Sequence, residues 1–503
     1  MDKRTILAVA LAVAVLILWQ VFFSPAPPPP PPPGAPLADK PAAAARPGIV
    51  PTPGKEAPAE VKALRVETDL YIAEFSTLGG TLKSLQLKRH TDTEGLSIVL
   101  LKDRGAIPAL GIGRKGDFAI SNENFAPESG DLKLSSSTPR GTLVFSKTGP
   151  DFSIRRTYTF HSDSYRFDLK DEVSGLPEYE LTLGTDFGVS TPKDGVHIGP
   201  VILKDSDRIE LTGKKLKKGE MTFAGGLKWI AVEDKYFFSA LVPGQEMKEA
   251  RAWAFQDSGV VSLKGGEGVN NFMVYAGPKE IERLKALGVG LEHIIDFGFF
   301  SIIARPLFWF LKFLYRFIGN YGWAIVVLTI VVRIPFIPIV NRGQKAMKKL
   351  QEVQPRMQEL REKYKKDPQR LQKETMELYR KYKVNPMSGC LPMLLQIPVF
   401  FALYKVLLIA IELRGAPFML WITDLSQKDP YYITPIVMGV TMVIQQKMTP
   451  SAGDPRQQKL MMFMPVIFTF MFLSFASGLV LYWLVNNLLS IAQQFHVNKK
   501  ARG

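Results

Sequence analysis

The 503-residue chain has a single cysteine, Cys390, which leaves no disulfide framework and no thiolate metal site. Its five histidines, at positions 90, 161, 197, 293 and 496, never pair at helical spacing, so metal chemistry has no ligand set. Charge is missing over long stretches. Six apolar runs, residues 6–23, 318–340, 392–411, 431–446, 460–475 and 478–495, contain no Asp, Glu or His and two cations, Arg333 and Lys405. Runs of this kind exclude an ordinary soluble enzyme. The absence of acids and histidines within them removes the groups that proton relays and ion-coupled transporters use. No GxxxxGK[ST] phosphate loop occurs, so nucleotide hydrolysis is not the energy source, and nothing in the sequence asks for a cofactor.

The net charge of +16 raises nucleic acid as a partner, and its distribution removes it. Residues 61–290 hold 31 Lys+Arg against 31 Asp+Glu, whereas 341–384 carry a net +8 and further excess flanks the apolar runs. Lys and Arg retained on the cytoplasmic side set membrane orientation. With the N-terminus in the cytoplasm, six crossings put every basic loop and the C-terminal tail on that side and the neutral domain outside. Residues 1–23 read as an uncleaved anchor, because Pro25 and the proline run behind it obstruct cleavage, a cleaved signal being the alternative. Residues 24–60, with 14 prolines, form an extended tether, for which a peptide-ligand role is the other reading.

Residues 61–288 alternate apolar and polar positions in short pieces bounded by Gly, Pro, Asn and Asp, which predicts an antiparallel β-sandwich. Gly111, Gly113 and Gly116 spell GxGxxG with no helix pattern after them, which reads as a turn. Residues 289–304 space apolar side chains for an amphipathic helix lying at the membrane surface, or for a helix that closes the sandwich. Residues 305–503 hold five spans, and their insertion 341–384 repeats apolar residues on both sides of Asp367-Pro368, as a coiled-coil helical hairpin does, with a kink expected at Pro355. Its basic face is either solvated, held at lipid headgroups, or a docking surface.

Arg333 stands where a bare charge costs about 2.5 to 3.5 kcal/mol on insertion scales. It either snorkels to headgroups or occupies an aqueous recess, for which Thr329, Gln396, Gln445, Gln446, Asn486, Asn487 and Ser490 are candidate lining residues. In such a recess weak screening lets the guanidinium attract an acidic residue of a passing chain. Gln445, Gln446, Asn486 and Asn487 serve equally well as interhelical hydrogen bonds.

The segments NPMSGCLPMLLQIPVFFALY (385–404), QQKMTP (445–450) and MMFMPVIFTFMFLSFASGLVLYWLVNN (461–487) resemble the YidC/Oxa/Alb family of membrane insertases in its long Gram-negative form. The resemblance covers essentially the whole chain. It implies six transmembrane helices, a five-helix core plus the anchor, a periplasmic β-supersandwich similar to sugar mutarotases, and a groove open to cytoplasm and lipid. The groove arginine falls on Arg333, its nearby threonine on Thr329, its glutamine on Gln396, and a substrate-contacting aromatic on Trp483. The implied activity is insertion and chaperoning of inner-membrane proteins, without bond-making, alone or with the Sec translocon. The implied partners are nascent membrane proteins, membrane lipids and, through the hairpin and C-terminal tail, the ribosome. Lys405 and Ala476 depart from the family pattern, and Lys405 is within reach of Glu412. The rival functions are a small-solute transporter and a membrane-anchored sugar enzyme, which the missing intramembrane acids and the missing His–carboxylate constellation respectively disfavour.

Overall fold

The computed structural model describes residues 61–500 apart from 93, 103–105, 189–195, 245–248, 366, 383, 385–390 and 449–454. The expected anchor and proline tether lie outside the described residues. The chain divides into two compact units between Ile294 and Ile295.

The first unit is all-β apart from short helical turns, with strands in two sheets. The smaller sheet runs Ser97–Lys102, Thr81–Thr91, Tyr71–Ser76, Ala63–Glu67 and Leu132–Lys133 in spatial order, the last pair parallel and the others antiparallel. The larger sheet has twelve strands around the long antiparallel pair Arg166–Thr182 and Ser258–Pro278, which runs from Arg166 opposite Tyr275 to Thr182 opposite Ser262 with a shift of register between Val173 and Glu178. Side chains alternate faces along a strand, so Tyr71, Ala73 and Phe75 point inward from one sheet and Ile154, Tyr158 and Phe160 from the other. Phe75 meets Tyr158 at 4.7 Å between ring centroids and Phe160 at 5.6 Å. The GxGxxG is a turn, with Arg114 and Asp117 exchanging backbone hydrogen bonds and Gly116 at φ +82°.

The same alternation places Arg156 in the inward row, where it is fully buried. Its Nε donates to Asp171 Oδ1 at 3.0 Å, and Nη1 donates to the carbonyls of Gly79 at 2.9 Å and Leu110 at 2.8 Å. Gly79 turns the chain between two strands of the smaller sheet, so the guanidinium bolts that turn onto the larger one. Gly79 has φ +64°, and a Cβ there would lie 2.7 Å from the Ser121 Cα. Burial pushes the Asp171 carboxyl above the ordinary carboxylate value even with Arg156 beside it.

The second unit is helical: α1 (Ser301–Ile318), α2 (Tyr321–Arg333), α3 (Ile337–Lys363), α4 (Pro368–Lys381), α5 (Leu391–Ile409), α6 (Ile433–Met448), α7 (Pro455–Phe472) and α8 (Ser477–Lys500). Gly319 ends α1 in the left-handed conformation, its N–H donating to the Tyr315 carbonyl, and the Asn320 side chain caps α2 by accepting from Trp323 N at 3.1 Å. A 3-10 turn, Ile334–Phe336, joins α2 to α3. Among the described residues one helical run, Tyr321–Lys363, is long and apolar enough to cross a membrane, while Leu395–Ile409 and Met462–Phe472 are apolar but shorter. Helix α8 packs on α2 and α6, α1 on α2 and α5, and α7 on α6.

The amphipathic helix is displaced from its expected place at 289–304. Leu291–Ile294 is a 3-10 turn whose Leu291 and Ile294 are fully buried in the first unit. Asp296 Oδ1 then accepts from Gly298 N at 2.8 Å, and Gly298 takes φ +70°, a conformation that stops a helix. The amphipathic segment starts at Ser301: Ala304, Phe308 and Leu311 are buried, whereas Ile302, Trp309 and Phe317 are exposed. The hairpin arms α3 and α4 meet around Leu350, Val353 and Val384, with Met347, Met357, Leu378, Tyr379 and Tyr382 against them. Helix α3 continues through Pro355, and Asp367 caps α4 by accepting from Arg370 N.

Candidate functional site around Arg333

Arg333 is the last residue of α2, and its side chain reaches α8. Residues four and seven apart in a helix share a face, so Asn486, Ser490 and Gln493 form one polar row along α8. Nη1 of Arg333 donates to the Asn486 carbonyl at 3.0 Å and to Asn486 Oδ1 at 2.5 Å. Nη2 donates to Ser490 Oγ at 2.8 Å and to Gln493 Oε1 at 3.3 Å. From α5, Gln396 Nε2 donates to the same Asn486 Oδ1 at 2.9 Å, so one amide oxygen accepts from both. Arg333 is half-buried, its Nε is buried without a hydrogen-bond partner, and no carboxylate pairs with it among the described residues. Among the described residues its charge is met by neutral oxygens.

The other candidate residues are placed differently. Thr329 lies one turn before Arg333, buried, its hydroxyl donating to the Ile325 carbonyl at 2.7 Å within α2. Asn487 and Gln494 belong to a second row of α8 that faces α6: Asn487 Nδ2 donates to Thr441 Oγ1 at 3.3 Å and Gln494 Nε2 to the Met448 carbonyl at 2.6 Å. Asn487 thus matches the interhelical-bond reading rather than the recess. Gln445 and Gln446 are half-buried on α6 and are not among the partners of Arg333. Trp483 packs between α5 and α7, its ring 4.8 Å from Phe400, 6.0 Å from Phe468 and 5.0 Å from Phe472 by centroid. It stands one turn before Asn486, where the aromatic cluster gives way to the polar row.

Sequence reasoning missed Gln493 and Asn341. The signal for Gln493 was the seven-residue step from Asn486, hidden because the polar pair 493 and 494 falls at the end of an apolar run. Asn341, whose Oδ1 accepts from Gln493 Nε2 at 2.8 Å, stands at the first position of the basic hairpin segment, where composition gives no sign of a link to the core.

Lys405 pairs with Asp296 at 3.3 Å, and Glu412 instead pairs with Lys312 at 3.6 Å, so the expected reach of Lys405 to Glu412 is not made. The turn at Ala476 is pinned by Ser477 N and Oγ, which donate to the Gln427 carbonyl at 2.7 and 2.8 Å. Because the Lys405 and Asp296 side chains keep 23% and 41% of their exposure, the pair contributes little. Lys405→Met should shift stability by less than about 1 kcal/mol in thermal melting of the solubilised chain. A loss well beyond that would give the pair a structural part it is not assigned here.

Comparison with known proteins follows the same division of the chain. A family profile described as 60Kd inner membrane protein matches residues 313–503, and one described as the YidC periplasmic domain matches residues 63–310. The protein of Syntrophus aciditrophicus (strain SB) named Membrane protein insertase YidC is 44% identical over 556 residues, covering 100% of each chain. The protein of the same name from Geobacter sp. (strain M21) is 41% identical over 534 residues, covering 99% of each. Among solved structures, one described as an active YidC insertase with the first transmembrane domain resolved is 20% identical with a TM-score of 0.39, covering 86% of this chain and 93% of that one. A putative mutarotase from Salmonella typhimurium is 10% identical with a TM-score of 0.28, covering 44% of this chain and 91% of that one.

Proposed function

Since the chain belongs to the YidC family of membrane protein insertases, we propose that Arg333 and its row of neutral oxygens form the polar groove through which it admits segments of client membrane proteins. The protein is a membrane protein insertase of the inner membrane with a periplasmic β-sandwich domain. The observation that carries the groove reading is the half-buried guanidinium with neutral acceptors and no carboxylate partner among the described residues. An acidic side chain of a client supplies the missing counter-charge, and the oxygens of Gln396, Asn486 and Ser490 stand in for water around a polar segment part-way across. The client's apolar span then slides into lipid past Trp483. No bond is made or broken, so the protein works as a chaperone of insertion rather than as an enzyme.

The finer topology is part of the same proposal: six spans, both termini in the cytoplasm, the sandwich in the periplasm and the α3–α4 hairpin in the cytoplasm. The basic excess of 341–384 and of the tail supports it. That basic hairpin and tail also suit docking of the ribosome, and longer clients call for cooperation with the Sec translocon.

Reconstitution of the full chain in liposomes tests the reading against solute transport. Insertion of a single-span client with no accompanying flux of small solutes is the expected result. Flux without insertion would replace the groove by a channel.

A further inference from the structure

Gln493 has three partners, which lie on two different helices. Its Oε1 accepts from Arg333 Nη2 at 3.3 Å, while its Nε2 donates to Asn341 Oδ1 at 2.8 Å and to the Ile337 carbonyl at 3.2 Å. Chemistry fixes this orientation: a guanidinium can only donate, so the amide oxygen must face it and the amide nitrogen must face α3. Ile337 and Asn341 occupy the first turns of α3, beyond the 3-10 joint Ile334–Phe336 that separates it from α2. The two helices on either side of that joint are therefore bridged through one side chain of α8.

Resting on the groove reading above, we infer that Gln493 is a positioning residue that links the root of the hairpin arm to the groove arginine. Asn341 and the Ile337 carbonyl hold the amide, and the amide holds one edge of the guanidinium against Asn486 and Ser490. A long, flexible arginine otherwise turns toward headgroups. Movement of α3 about the 334–336 joint, such as a partner seated on the hairpin would impose, loosens Gln493 and with it Arg333. The hairpin root thereby sets how firmly the charge is presented to a client.

The test scores insertion into proteoliposomes, by the full chain, of a single-span client with an acidic translocated tail and of the same client with that tail neutralised. The ratio of the two is the readout, and insertion of the neutralised client reports folding. Asn341→Leu removes the acceptor at similar size, and Gln493→Met removes the amide at similar length. Each should lower the ratio about three- to tenfold, the scale of one ordinary hydrogen bond lost. Because both cut the same link, the double variant should fall no further than the lower single one. In an Arg333→Ala background Asn341→Leu should change nothing. Should Asn341→Leu fail to accumulate in the membrane, Gln493→Met reads the link from its other end. An unchanged ratio in both single variants, or effects that simply add in the double one, would overturn the link while Arg333→Ala still lowers the ratio. If Arg333→Ala itself leaves the ratio unchanged, the groove reading falls, and the link with it.

Discussion

Arg333→Ala should reduce insertion of a client with an acidic tail by about tenfold or more at matched protein level, while Arg333→Lys keeps most of the activity. Two unit charges about 4 Å apart attract by roughly 4 kcal/mol at an effective dielectric constant near 20, and about 1.4 kcal/mol of that already gives tenfold. The structure offers the guanidinium four hydrogen bonds to neutral oxygens and no carboxylate among the described residues, so the attraction is not already spent within the site. Lysine keeps the charge but cannot bridge Asn486 and Ser490 with a planar fork, which is why it should retain most of the activity and not all. Snorkelling makes the opposite forecast: removing a costly cation from the span leaves insertion of every client untouched. Insertion assays with purified, reconstituted variants separate the two.

The second large effect belongs to the sandwich. Arg156→Ala should destabilise that domain by about 3–5 kcal/mol, because it strands the Asp171 carboxylate in a site with no exposure and releases the carbonyls of Gly79 and Leu110. Replacing both partners, Arg156→Met with Asp171→Leu, should recover much of the loss, since burying two charges is itself expensive and the raised Asp171 carboxyl reflects that cost. Denaturant unfolding of the full chain in detergent, followed by protease resistance of the sandwich, measures both. Equal instability of the single and double variants would mean that the hydrogen bonds to the Gly79 turn, rather than the stranded charge, carry the effect.

Much of this was legible before the structure. Period-two alternation announced the strands, and the inward row around Phe75 and Tyr158 is what that pattern predicts. Asp367-Pro368 announced the hairpin, because aspartate caps and proline opens a helix. Arg333 was conspicuous as a charge in an apolar run, and Asn486 and Ser490 stood on one helical face at four-residue spacing. What periodicity could not locate was where local turn chemistry wins over it. The Asp296–Gly298 turn moved the amphipathic helix to Ser301–Ile318 although the apolar spacing continued across 289–304. Nor does spacing within one helix reveal which neighbour each row faces. Asn486 and Asn487 are adjacent in sequence, about 100° apart around α8, and they serve different helices. Thr329 shows the same limit, since its hydroxyl is satisfied by its own helix.

The central claim is that an acidic client segment enters the site beside Arg333. The most direct measurement places a photoreactive residue at Gln396, which shares the Asn486 oxygen with Arg333, and maps crosslinks to a client arrested during insertion. Crosslinks concentrated on the acidic tail, and lost both when the tail is neutralised and when Arg333 is replaced by alanine, are the predicted result. Crosslinks that persist unchanged with Arg333→Ala, or that fall only on the client's apolar span, would contradict it.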